Sequence, residues 1–507
     1  MKKIFFIAAS LFAASLLGVS CDNSGTDSTT PAAAPEIVSI YPASAPAGES
    51  VTIAGKNFSA DAASNVVTFG SAAATVAQAS ATELVVTVPE IEAGQVDVAV
   101  KVGDKSSAAV KFTVEAALSI TECNASVVTA GDIVTVEGAG FEGATIKIGE
   151  TVITPTLAYD DFFRFDMPSL AKGEHQISVS KNGKTVQSEK FVYYSLPQYE
   201  VSVWAGDYTQ AMTAGALTTA AQFNFPEDLA WDTDGNLWVS HRSGKAVSCI
   251  DMQNMTNGNP ISTSANTFGI AYYGNSLYAA NKSTHKLGIV TNSTHSSFDS
   301  EYKFDNAMDV ICGDNSVYVA CRDSKNIAVV SSDNQVTEIA LDIKPWAISF
   351  NKDKSGIFVG PNDAKKIYLY DIAAKTQAVV AGNGQAPADD KPIDGLAQNA
   401  LIGQVVGLYC DEDGYLYFSD ASACRFRVLI PGVGGDYSKG IVKTLAGTAI
   451  GTDGGHGKVS DHAVGDGLTE AKFGKEGIGG IVKYGNDFLV AGQKRHVIYK
   501  ISPKVTQ

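Results

Sequence analysis

From residue 36 onward, apolar and polar positions alternate in short runs. Val51-Thr52-Ile53-Ala54-Gly55, Val96-Asp97-Val98-Ala99-Val100 and Val110-Lys111-Phe112-Thr113-Val114 each place every second side chain on one face of an extended strand. Turn residues such as Tyr41-Pro42, Ala45-Pro46-Ala47-Gly48 and Asn57 interrupt these runs, at the spacing of roughly 8 to 12 residues expected of a small β-sandwich. This predicts a sandwich over 36–115. A second copy follows over 116–196. Ala130-Gly131-Asp132-Ile133-Val134-Thr135-Val136-Glu137-Gly138-Ala139-Gly140-Phe141 repeats the Ala-Gly…Val-Thr-Ile…Gly…Phe pattern, and Gln176–Ser180 with Lys190–Tyr194 repeats the closing strands.

A longer repeat occupies 197–507. Its clearest unit is Phe225-Pro226-Glu227-Asp228-Leu229-Ala230-Trp231-Asp232-Thr233-Asp234-Gly235-Asn236-Leu237-Trp238-Val239-Ser240, two apolar strands joined by an Asp-Gly-Asn turn. Equivalent hairpins start near Gly269, Met308, Trp346, Gly407 and Gly480, each followed by a third strand such as Ile327–Val330 or Val497–Lys500. Six three- or four-strand units with no helical run between them predict a six-bladed β-propeller, because radial repetition hides the sheet edges of an open array. Glu200-Val201-Ser202-Val203-Trp204 precedes the first hairpin and is expected to supply the outer strand of the last blade, closing the ring. The expected fold class is therefore all-β: two immunoglobulin-like sandwiches followed by a six-bladed propeller.

Composition agrees. The 507 residues are 45% hydrophobic and 18% charged, with 48 Gly, enough for sizeable cores and many tight turns. Lys+Arg 38 against Asp+Glu 54 gives −16, a poor match to a nucleic-acid backbone. At the N-terminus, Lys2 and Lys3 precede an apolar run from Ile4 to Leu17, then small residues lead into Cys21. The run is too short to span a bilayer and reads as a signal peptide over 1–20. Asp22 to Pro35 is small, polar and Pro-bearing, so 21–35 reads as a flexible tether. The six later cysteines, 123, 249, 312, 321, 410 and 424, show no CxxC or zinc spacing. Cys312 and Cys321 fall at opposite ends of one hairpin, so free thiols are expected.

Four resemblances extend this reading. Residues 36–115 and 116–196 resemble TIG/IPT domains, carried by Ser39-Ile40-Tyr41-Pro42, Ala47-Gly48, Ile53–Phe58 and their second copies. This implies immunoglobulin-like modules acting as spacers. Residues 197–507 resemble NHL-repeat propellers, carried by Pro226…Leu229-Ala230…Asp234–Val239 and by Leu445-Ala446-Gly447 and Trp204-Ala205-Gly206 before Gly- and Asp-rich loops. The small residues before Cys21 resemble a bacterial lipobox, which implies lipidation at Cys21 and an anchor in the membrane. The whole arrangement looks like the surface lipoproteins of Gram-negative gut bacteria that accompany outer-membrane polysaccharide transporters. It implies a lipid-anchored outer-membrane protein facing the cell exterior, with a polysaccharide or oligosaccharide as partner.

In such a propeller, the loops leading into the innermost strands and those joining second and third strands share one face, which is expected to carry the site. Three leading loops are long, 205–226, 381–404 and 446–477. They predict a wall over blades 5, 6 and 1 and an open side over blades 2 to 4. The candidate ligand-binding residues on that face are Trp346, Arg322, His285, Asn281, His241, Glu227, Asn362, Asp420 and Arg425, with Arg242, Asp323, Arg495 and His496 nearby. Trp346 offers a flat apolar face for a sugar ring, and Arg and Asn supply hydrogen bonds; capping of the channel is the alternative role for Trp346. Net acidity favours a neutral sugar. No cofactor, catalytic residue or metal is expected. Two metal readings, His241 with His285 and His496 for zinc, and Glu227 with Asn362 and Asp420 for calcium in a hydrolase or lyase, rank below simple binding. So does a protein-interaction scaffold. Asp232–Asn236 and Asp411–Gly414 lack the closing Glu of an EF-hand, and no GxSxG elbow or phosphate loop is present.

Overall fold

The computed structural model describes residues 33–504 apart from 314, 362, 388–392, 449–454, 459 and 461. Cys21, the leader and most of the tether lie outside the described residues. The chain divides into two compact units, one ending at Ser119 and one starting at Ile120.

The first unit is a sandwich. Glu36–Tyr41, Ser50–Lys56 and Glu83–Thr87 pair antiparallel in sequence order, while Asn65–Phe69, Gly94–Val102 and Val110–Glu115 form the facing sheet. Ser44–Pro46 joins the edge of that sheet in parallel with Thr113–Glu115. The alternation seen in the sequence sorts cleanly. Val51, Ile53, Val67, Phe69, Leu84, Val86, Val98, Val100, Phe112 and Val114 fill the core.

The second unit opens with the repeat of this sandwich. Ile133–Ala139 pairs with Phe162–Asp166, and Thr145–Ile148 with Ile177–Lys181. Val134, Val136, Phe163, Phe165, Ile177, Val179 and Phe191 are buried.

The propeller follows with six blades. The innermost strands are Pro226–Trp231, Thr267–Tyr273, Ala307–Gly313, Pro345–Phe350, Val405–Cys410 and Ile481–Tyr484. In blade 6, Tyr199–Ala205 pairs with Val497–Pro503 as the outer strand, so the ring closes as the sequence predicted. The Asp-rich hairpin turns are self-capped. Asp232 Oδ1 accepts from the Asp234 and Asn236 N–H groups, and its Oδ2 accepts from Trp238 Nε1 at 3.1 Å. Gly235 takes φ +82° there, which only glycine adopts without strain. The six cysteines among the described residues are free thiols; Cys321 and Cys424 are buried and the others half-buried.

The long inserts are not only a wall. Each carries a short segment, Gly215–Ala216, Gly395–Leu396 or Gly465–Asp466, that pairs with the outer edge of the blade it precedes. Two buried arginines tie inserts down. Arg427 donates to the Leu401 and Ile393 carbonyls, both at 2.7 Å, and Arg495 donates to those of Gly457 and Gly455 at 3.1 and 2.7 Å.

Within the second unit, the sandwich docks on the hairpin side of the propeller. Glu174 accepts the Gly434 N–H at 2.7 Å, and Lys172 lies 3.7 Å from Asp413 and over the Tyr415 ring. Val127 and Tyr194 join the buried cluster of blades 5 and 6. These hairpins lie at the opposite end of the blades from the loops expected to carry the site.

Candidate functional site

The six inner strands surround a channel of about 450 Å³. It is lined by Glu227, Met308 and Trp346 at one end and by Tyr272, Cys312, Lys354 and Glu412 at the other. The first end is the mouth. Register fixes it: Pro226 pairs with His241, Thr267 with Asn281, Ala307 with Cys321, Pro345 with Pro361 and Val405 with Asp420. Each of these inner strands carries a bulge just after that pair, a device that re-aims side chains. In blades 1 and 3 the re-aimed residues are Asp228 and Asp309. Their carboxylates accept the Ile270 and Ile348 N–H groups at 2.9 and 2.8 Å, linking each inner strand to a neighbour's. Burial pushes both carboxyls up, Asp228 to about 7.

Trp346 is half-buried at the mouth and meets Phe268 edge-to-face, with centroids 5.9 Å apart. Its ring lines the channel and packs against the core cluster of blades 4 and 5. Trp231 and Trp238 are structural. Their indole N–H groups go to the Lys483 carbonyl and to Asp232.

The polar candidates divide. Arg322 stays on the mouth, its Nε 2.8 Å from Asp323 Oδ1. His285 is exposed, with Nδ1 2.7 Å from Asp305. Glu227 is buried in the throat. Gln493 donates to its Oε1 at 2.8 Å, and Arg242 Nη1 lies 3.1 Å from Oε2. Burial raises the Glu227 pKa against the lowering effect of Arg242.

Four candidates are corrected to framework roles. His241 is fully buried; its Nδ1 accepts the Asn224 N–H at 3.2 Å and its Nε2 donates to Ser248 at 2.9 Å. Burial drives its pKa down to about 3, so it stays neutral. Asn281 is buried in blade 2, accepting from Thr267. Asp420 is buried and accepts from the Gly403 and Ala423 N–H groups and from Arg427. Arg425 donates to the Gly447 and Thr448 carbonyls of the third insert. Asn362 lies outside the described residues. His496 also serves the frame, its Nδ1 accepting the Phe225 N–H at 3.2 Å. His285 and His496 share a turn position with Lys245, Lys325, Lys365 and Cys424, all at φ between +51° and +60°. The zinc set of His241, His285 and His496 is not assembled, and the calcium set includes Asn362, which lies outside the described residues. Among the described residues, no three His, Cys, Asp or Glu side chains converge on a metal-sized site.

Sequence reasoning passed over two mouth residues, Lys282 and Phe268, as ligand groups. Arg242, Lys282 and Arg322 are equivalent. Each follows the last residue of a second strand, and each N–H donates to a leading-loop carbonyl: Phe225 at 3.0 Å, Asn266 at 3.2 Å and Asn306 at 3.2 Å. Blades 5 and 6 place Ala421 and Gln493 there. Arg242 lies over the Phe225 ring at 4.7 Å and the Phe268 ring at 5.5 Å, and Lys282 lies 5.4 Å from the Phe268 centroid. The signal was present in the hairpin repeat, once the residue after each second strand is aligned.

Comparison with known proteins adds to this geometry. The IPT/TIG domain family matches residues 35–114 and 118–193. No curated protein sequence matches the chain. Among solved structures, the chain is similar to an auxiliary nutrient binding protein from Bacteroides ovatus, at 16% identity and a TM-score of 0.50, over 93% of this chain and 98% of that one. A protein of the same description from Bacteroides thetaiotaomicron gives 16% identity and a TM-score of 0.49 over 93% and 98%. Virginiamycin B lyase from Staphylococcus aureus gives 13% and 0.38 over 70% and 99%.

Proposed function

We propose that this chain is a non-catalytic saccharide-binding protein of the outer-membrane surface. In this reading Cys21 carries the lipid anchor, the two IPT/TIG modules are a stalk, and the mouth of an NHL-type propeller captures polysaccharide beside a transporter. The observation that carries it is the mouth itself. Trp346 lines the channel mouth with Phe268 against it, and Arg242 and Lys282 from blades 1 and 2 lie over the Phe268 ring. An aromatic platform ringed by hydrogen-bond donors suits a sugar, which has apolar ring faces and polar edges. The second sandwich docks at the opposite end of the blades, so it leaves the mouth uncovered. The description of the Bacteroides ovatus protein as nutrient binding fits this reading.

The test is calorimetric titration of the whole chain with a panel of oligosaccharides, repeated on Trp346→Ala. Loss of a buried aromatic anchor at a binding site costs about 2 kcal/mol or more, so affinity for the bound sugar should fall at least tenfold. Full affinity in Trp346→Ala would remove the mouth as the site.

A further inference from the structure

We propose that the saccharide taken at this mouth is an anionic one, its carboxylate or sulfate group held by Lys282 between Arg242 and Arg322. The inference rests on the saccharide-binding reading and adds the ligand's charge. The net charge of −16 points to a neutral sugar, but the charges at the mouth are distributed differently from the charges of the whole chain.

Three cations occupy one register position on three successive blades, and the matching positions of blades 5 and 6 are Ala421 and Gln493. The positive arc is therefore confined to the side over blades 1 to 3. Two of its members are matched internally. Arg242 is paired with Glu227 at 3.1 Å and Arg322 with Asp323 at 2.8 Å. Lys282 has no carboxylate within ion-pair distance among the described residues. It sits over the face of Phe268, half-buried; burial and the like charges of Arg322 and Arg242 lower its pKa, and the carboxylates of Asp323 and Glu227 act the other way. Lys344, on the loop leading into blade 4, adds a further cation felt by Asp323. Arg242, Lys282 and Arg322 outnumber the carboxylates Glu227 and Asp323 by one, which leaves one cationic charge on this side of the mouth for an anion to meet. Phe268 connects the two halves of the site, because its ring lies under Lys282 and also against Trp346. A sugar ring stacked on Trp346 therefore has a neighbouring anionic substituent within reach of Lys282. Distant acidic surface is screened beyond a Debye length of about 8 Å at physiological salt, whereas this contact is not.

The test uses matched pairs of ligands that differ only in charge. Oligogalacturonate is titrated into the whole chain against its methyl ester, and a sulfated chondroitin oligosaccharide against its desulfated form. At least one pair should show the anionic member binding about tenfold tighter, the size of one charge-assisted hydrogen bond, with the gap narrowing as salt is raised. The pair that shows it identifies carboxylate or sulfate. Lys282→Gln should abolish the gap, while Lys282→Arg should preserve it. Equal binding within both pairs, or a gap that survives Lys282→Gln, overturns the anion site and leaves saccharide binding intact. No binding of any saccharide, charged or neutral, removes the underlying reading as well.

Discussion

Asp420 tests whether the buried polar groups near the mouth hold the frame or the ligand. Its carboxylate and the Arg427 guanidinium it faces at 3.2 Å are both fully buried. The same carboxylate accepts the Gly403 and Ala423 N–H groups at 2.9 and 3.0 Å. In Asp420→Ala, Arg427 keeps the Ile393 and Leu401 carbonyls and the partly exposed Asp394 at 3.1 Å, but two buried N–H groups lose their acceptor. Breaking a buried ion pair from one side costs about 3–5 kcal/mol. Orphaning a buried N–H costs about 1–3 kcal/mol, a loss that overlaps with the first. The expected loss of stability is therefore about 3–5 kcal/mol, read as a shift of the urea midpoint. The double variant Asp420→Ala/Arg427→Met should recover part of it, because the charge left behind is removed. It should not recover all, because Arg427 also pins the insert through two carbonyls. Saccharide affinity of the folded protein should stay unchanged throughout. Asp420→Ala with unchanged stability and lost affinity would refute the reasoning and return Asp420 to the ligand.

Gly480→Ala would place a Cβ 1.9 Å from Asp228 Oδ1 and 2.8 Å from its Cα. The inner strands of blades 6 and 1 must then separate, for a loss of about 1–3 kcal/mol seen as a lowered melting temperature. His241 is held neutral down to about pH 3, whereas in the unfolded chain it takes up a proton near pH 6.5. Its contribution is therefore present above pH 6.5 and lost as pH falls. The stability difference between wild type and His241→Gln should shrink by up to about 1.4 kcal/mol per pH unit between pH 6.5 and 4, measured by urea titrations. Tyr194 and Val127 join the buried cluster of blades 5 and 6, so the second sandwich and the propeller should melt in one calorimetric transition, and Tyr194→Ser should split it into two.

The architecture was legible because it repeats. The period-two alternation around Val51 and Ile53 could satisfy itself only with one face buried, and its second copy around Val134 and Val136 met the same requirement. The ring closure by Tyr199–Ala205 was legible for a related reason: five complete units and one unit short of its outer strand leave a single place for the strand that precedes them. The edge pairing by Gly215–Ala216 and its equivalents was missed, since two-residue strands inside Gly-rich loops leave no alternation to read.

The site was legible only as a face. The repeat placed Glu227, His241, Asn281, Arg322, Trp346 and Asp420 near one end of the blades, and their residue types made all of them plausible ligands. Whether a polar side chain at that end turns outward or inward depends on bulges, on neighbouring blades and on which buried N–H lacks an acceptor. Those conditions hold between residues far apart in the chain, as between Glu227 and Gln493 or Phe225 and His496. The sequence by itself determined which elements form and in what order, because alternation and turn chemistry act over a few neighbouring residues. Only the tertiary structure decided that His241, Asn281 and Asp420 belong to the frame and Lys282 to the mouth. Burial and charge pairing, which separate them, exist only once six distant segments have been brought around one axis.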